Sequence, residues 1–195
     1  MENMYGNEIY DVPKNELEIN LPYTFIRKSD IDFSWSELYW GWMNRFISDE
    51  TLIEIAEQEV VNDIFSEETL ELASIMKSEI FVEQKKIKDL IEKIIDENLL
   101  RNKQFILNCK NKYLFAIASY LYQNSLSIEC DQGYETILAS IIEDFRAPSK
   151  SAEEFLFVLL EWVAYGIRAD QELMEPWHVF LEQQHTCFFN EWNEK

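Results

Sequence analysis

The sequence predicts an all-α fold, a compact multi-helix bundle of about seven to eight helices with an irregular N-terminal arm over residues 1–28, and three observations carry that expectation. Four Gly and four Pro in 195 residues are too few for the turns that a β-sandwich or barrel needs. Serine-led caps followed by acidic first turns recur along the chain, with apolar residues at helical spacing behind them. Aromatic residues make up 14% of the chain, six Trp among them, which supplies enough apolar surface for one substantial core. With no linker in sight, a single domain spanning 1–195 is expected.

The arm contains Pro13 and Pro22 and is expected to pack through Tyr10, Leu21, Tyr23 and Phe25, with room for one short extended segment. The first firm helix begins at Ser34, where Ser34-Trp35-Ser36-Glu37 has the form of a capping box, and ends near Gly41 or Asn44. Its aromatic face is Trp35, Leu38, Tyr39 and Trp42. Ser48-Asp49-Glu50 opens the second helix, with Leu52, Ile55, Ala56 and Val60 inside and Glu50, Glu54 and Glu57 outside. Ser66 opens the third, with Leu70, Ala73 and Met76 expected to face inward.

A long amphipathic helix should run from Ser78 to about Asn98 on Ile80, Ile87, Leu90, Ile91, Ile94 and Ile95. Arg101 to Gln123 reads as another, almost fully apolar from Tyr113 to Tyr122, with strand as the runner-up for that stretch. Ser127 to Gly133 is a loop, and Tyr134 to Phe145 a helix closed by Pro148. The helix opened by Ser151-Ala152-Glu153-Glu154 is apolar on nearly every side from Phe155 to Tyr165, which predicts a core position, and Gly166 would stop it. A last helix should run from about Pro176 to Trp192.

The formal charge of −20 makes nucleic acid a poor partner, because each phosphate contact needs a cation. No stretch approaches the length and apolarity of a membrane span, and no secretory leader is evident, so a cytoplasmic location is expected. Cys109, Cys130 and Cys187, odd in number and widely spaced, read as reduced thiols. Charge is also segregated. Nine acidic residues and no Lys or Arg lie between Asp49 and Glu71, whereas Lys85 to Lys112 holds eight of the seventeen cations.

Among chemical motifs the strongest is Glu175-Pro176-Trp177-His178 with Glu182-Gln183-Gln184-His185, since Glu-x-x-His places a carboxylate and an imidazole on one helix face. Both copies share one helix, about 10 Å of rise apart, and so cannot ligate one cluster. A metal-binding helical-bundle enzyme using Glu175, His178, Glu182 and His185 therefore stands only as an alternative. Four scattered Gly leave no nucleophile elbow and no phosphate-cradling loop. The adjacent acids Glu67-Glu68 and Glu153-Glu154 diverge by about 100° on a helix and serve helix starts better than acid-base chemistry. No catalytic residue, metal ligand or cofactor is expected.

The segments Phe33-Ser34-Trp35-Ser36-Glu37-Leu38-Tyr39-Trp40-Gly41, Ile47-Ser48 and Leu52 to Ala56 resemble a bacterial family of uncharacterised helical proteins, domain of unknown function 2247. Ile141-Ile142-Glu143-Asp144-Phe145-Arg146-Ala147-Pro148 and Trp177 to Phe189 extend the likeness, although Ala147-Pro148 stands where a Tyr-Pro pair is expected. The resemblance implies an all-α fold and immunity proteins that neutralise partner toxins; it carries over no catalytic residue.

Charge and resemblance together point to a non-enzymatic acidic protein that binds a basic, toxin-like partner. The expected contacts are Asp49, Glu50, Glu54, Glu57, Asp63, Glu67, Glu68 and Glu71. A structural or regulatory helical subunit is the remaining alternative, and a merely solvated acidic face is the plain reading of the same residues.

Overall fold

Serine side chains start four helices in the computed structural model, which describes residues 15, 18–29, 31–124, 133–165 and 173–192, with side chains to 187. Tyr10, Cys130, Gly166 and most of the 127–133 loop lie outside the described residues. Nine α-helices are described: α1 (Tyr23–Lys28), α2 (Trp35–Met43), α3 (Asp49–Val61), α4 (Glu67–Ala73), α5 (Ile80–Ile94), α6 (Lys103–Asn124), α7 (Tyr134–Asp144), α8 (Lys150–Tyr165) and α9 (Met174–Trp192). The fold is all-α, and no strand occurs among the described residues. None of the described helices is long and apolar enough to cross a membrane.

The caps explain where helices begin. Ser34 and Glu37 form a complete capping box at α2, the Ser34 N–H donating to Glu37 Oε2 at 2.8 Å. Ser48 and Ser66 accept from the backbone N–H groups of Thr51 and Thr69 at α3 and α4. At α8 the cap is Ser149, which accepts from Ala152 N–H, and not Ser151 as the acidic first turn suggested. In each case a hydroxyl satisfies a donor that the helix leaves unpaired.

The chain divides into two compact units, residues 1–109 and 110–195, with α6 running through the boundary. In the first, α3 packs on α4 and α4 on α5, while α1 lies on α3 and α2 on α5. Its core includes Leu21, Leu38, Trp40, Phe46, Ile47, Leu52, Ile53, Leu72, Ile87 and Ile91. Residues 23–28 are a helix, which corrects the irregular arm over that part: Pro22 suits a helix start, and Phe25 and Ile26 bury one side of it. The arm is tied down at Leu21, whose N–H donates to the Phe46 carbonyl and whose carbonyl accepts from the Thr51 hydroxyl.

Helix α4 is turned relative to the expectation. Leu70 and Met76 are exposed, whereas Thr69, Leu72 and Ile75 are buried. Leu70 and Leu72 lie about 200° apart on a helix, so only one can face the core. The Ser66–Thr69 cap accompanies the Thr69–Leu72 side being the covered one.

In the second unit α7 packs on α8 and α8 on α9. Tyr113 to Ala118 of α6 are buried in succession. Ile137, Leu138, Ile141 and Ile142 line α7's inner face as the spacing predicted. Helix α8 departs from expectation: Ala152, Phe155 and Leu159 are buried, but Phe157 is 62% and Tyr165 77% exposed. Its neighbours cover one stripe, so all-round apolarity did not translate into all-round burial. Trp177, Phe180 and Gln184 form the inner stripe of α9. Phe180 stacks on Phe155 at 4.8 Å, and Gln184 donates to both Ser149 and Ser151 hydroxyls.

Candidate functional site

Helix α3, the turn after it and α4 hold the nine-acid segment, and the structure sorts those acids into two groups. On the N-terminal half of α3, Lys77 bridges Glu50 and Glu54 at 2.7 Å each. Lys86 of α5 pairs with Glu71 at 3.0 Å. Hydrogen bonds donated to Glu50 and Glu54 hold the Lys77 ammonium well above its ordinary range, and one donated to Glu71 raises Lys86 in the same way. Asp49 accepts from the Trp42 indole N–H at 2.9 Å. Four of the eight expected contact residues are therefore engaged within the chain.

The other four, Glu57, Asp63, Glu67 and Glu68, make no ion pair among the described residues and gather where α3 ends and α4 begins. Glu67 and Glu68 sit in the first turn of α4, where the helix dipole favours negative charge. Backbone hydrogen bonding, then the Ser66 hydroxyl, hold Glu68 below the usual carboxylate range.

The turn itself carries apolar side chains. Asp63 adopts a left-handed φ of 57°, Ile64 N–H donates to the Glu59 carbonyl and Asp63 N–H to the Val60 carbonyl, which is a Schellman closure of α3. It leaves Val61 76%, Ile64 70% and Phe65 45% exposed. Three exposed apolar side chains thus fall in sequence among four acids that lack ion-pair partners among the described residues. Reasoning on charge alone missed them, although the signal was present: Ile64-Phe65 directly before the Ser66 cap is an apolar pair in a turn that polar residues usually fill.

Beside this knuckle lies a cleft of about 370 Å³ between α1 and α3, lined by Tyr23, Arg27, Asp32, Gln58, Glu59 and Asn62 together with apolar walls. Glu59, the ninth acid of the segment, accepts the Trp35 indole N–H on both carboxylate oxygens at 3.0 Å. Partial burial pushes its carboxyl up, and the indole hydrogen bond offsets part of that rise. Tyr23 donates to Gln58 Oε1 at 3.2 Å across the same cleft.

In the second unit His178, Glu182 and His185 line a groove of about 530 Å³ with Phe115, Ser119, Leu181 and Thr186. His178 lies 3.3 Å from Glu182 and stacks on Tyr122. His185 lies against the Phe115 ring. Glu175 is exposed outside that groove, so the structure does not bring the quartet together. Among the described residues no group of three or more His, Cys, Asp or Glu is placed to share a metal ion. Cys109 is buried and Cys187 exposed, and neither is in a disulfide.

The protein is an all-α chain with exposed apolar residues in an acidic turn of one unit. Residues 23–185 match the model of a family described as an uncharacterized protein conserved in bacteria, DUF2247, and the chain belongs to that family. No curated protein and no solved structure matches it.

Proposed function

We propose that this protein is a non-enzymatic, immunity-type inhibitor that neutralises a basic toxin-like protein by covering it with the α3–α4 turn. The observation that carries this reading is the exposed trio Val61, Ile64 and Phe65 set among Glu57, Asp63, Glu67 and Glu68. Exposed apolar side chains supply the desolvated centre of an interface, and the acids around them speed and orient the approach of a cationic partner. Glu50, Glu54 and Glu71 contribute to the general field, while their own lysines hold them back from the contact.

Growth rescue tests the proposal. Where a basic toxin-like protein is found encoded next to this chain, cells expressing it should survive when the chain is co-expressed. They should die when it carries Ile64→Ser with Glu57→Lys and Glu67→Lys. Rescue that persists in the triple variant would overturn the reading, provided the variant's helical circular dichroism and melting match the parent.

A further inference from the structure

We propose that the cleft between α1 and α3 is a lysine-binding pocket, in which Glu59 receives the side-chain ammonium of a lysine on the basic partner. The inference rests on the reading that the partner is a basic protein and deepens it by naming the anchor residue and its seat.

The cleft has the two parts such a side chain needs. Ile26, Phe33, Leu38 and Ile55 provide apolar wall, along which a four-carbon stem can lie while its charged end reaches a polar group. Glu59 supplies that polar group, held in place by Trp35. The charged residues on the lining are Glu59, Asp32 and Arg27.

The hydrogen-bond geometry selects between the two basic side chains. Trp35 N–H points between the carboxylate oxygens, equidistant at 3.0 Å from each. That is the position a guanidinium fork uses for its paired hydrogen bonds. With the fork taken, the outer lone pairs remain, and they suit an ammonium acting as a point charge. Burial raises the Glu59 carboxyl, and a cation seated beside it relieves the same penalty. The cleft also adjoins the knuckle, because Gln58, Glu59 and Asn62 line it while Val61 and Ile64 flank them in sequence.

Nuclear magnetic resonance titration of the full chain with Nα-acetyl-lysine methylamide tests the pocket without the partner. The Trp35 indole N–H resonance should shift saturably, the norleucine analogue should leave it unmoved, and the arginine analogue should bind at least about tenfold more weakly. Glu59→Gln should abolish the lysine response with the fold intact by circular dichroism. Trp35→Phe, read at the Asn62 amide, should bring arginine binding up toward that of lysine, because the fork is then open. Equal responses to lysine and arginine in the parent chain, a lysine response that survives Glu59→Gln, or arginine binding unmoved by Trp35→Phe would each overturn the proposal. The rescue assay fails separately, since it depends on the knuckle and these titrations do not.

Discussion

The ends of α2 and α3 are built by the same backbone device and put to opposite uses. At α2, Arg45 takes the left-handed position with φ 65°, Phe46 N–H reaches back to the Gly41 carbonyl and Arg45 N–H to that of Trp42. At α3 the corresponding residues are Asp63 and Ile64, with the same two hydrogen bonds. The apolar residue that follows the left-handed one normally folds back on its helix. Phe46 does so, stacking on Trp40 and remaining only 2% exposed. Ile64 stays 70% exposed. Identical local closure therefore yields a core plug in one place and an exposed side chain in the other, and the difference lies in what surrounds each turn.

The largest expected effect breaks that symmetry. Phe46→Ala should cost about 3–5 kcal/mol in urea unfolding, as large-to-small changes at buried aromatic sites do. Ile64→Ala should change stability by no more than ~0.5 kcal/mol, as a surface substitution, while weakening binding to the proposed basic partner. Comparable destabilisation by both would mean that Ile64 packs as Phe46 does, and the contrast would disappear.

A smaller effect concerns the left-handed residues themselves. A chain with four Gly closes three helices with Arg45, Asp63 and Arg146 at positive φ, where a side chain is strained and glycine is not. Arg45→Gly should stabilise by roughly 0.5–1 kcal/mol, the relief of strain exceeding the added freedom of the unfolded chain. Asp63→Gly should gain less, because Asp tolerates this conformation better than Arg. It should also bind the proposed partner more weakly, so stability and affinity move in opposite directions at the second turn only. Melting curves and titration of the two variants side by side check this.

The helix starts were legible because each cap is a short-range matter: Ser34, Ser48 and Ser66 meet donors three residues away. What the neighbours cover is a long-range matter, and there the pattern fell short. Leu70 and Leu72 offered two phases for α4, and periodicity could not choose between them. The apolar run of α8 suggested full burial, yet Phe157 and Tyr165 face solvent. The candidate site shows the same division. Nine acids in one segment are countable, but that Lys77 reaches back to Glu50 and Glu54, from 27 and 23 positions further along the chain, is a tertiary fact. Glu59 went unnoticed for the same reason, since its partner Trp35 comes from α2 and the facing wall of its cleft from α1.

The smallest effect, and the one that best separates the two kinds of acid, is a difference in the sign of pH dependence. Burial raises the folded carboxyl of Glu59, so the folded chain holds that proton more tightly than the unfolded chain, and stability falls as pH rises through the raised value. Glu59→Gln should therefore raise the urea midpoint near pH 7, with the gain vanishing once pH drops below the range where Glu59 titrates. Glu68 is shifted the other way, chiefly by backbone hydrogen bonding, and its contribution is present above the ordinary carboxylate value and lost as pH falls through the lowered one. Glu68→Gln should thus lower the midpoint near neutrality and become silent in acid. Two carboxylates on neighbouring helices would then respond oppositely to the same substitution, one as a helix-start residue that stabilises the fold and the other as a group kept at a cost to it, which is what a seat for a partner's cation requires.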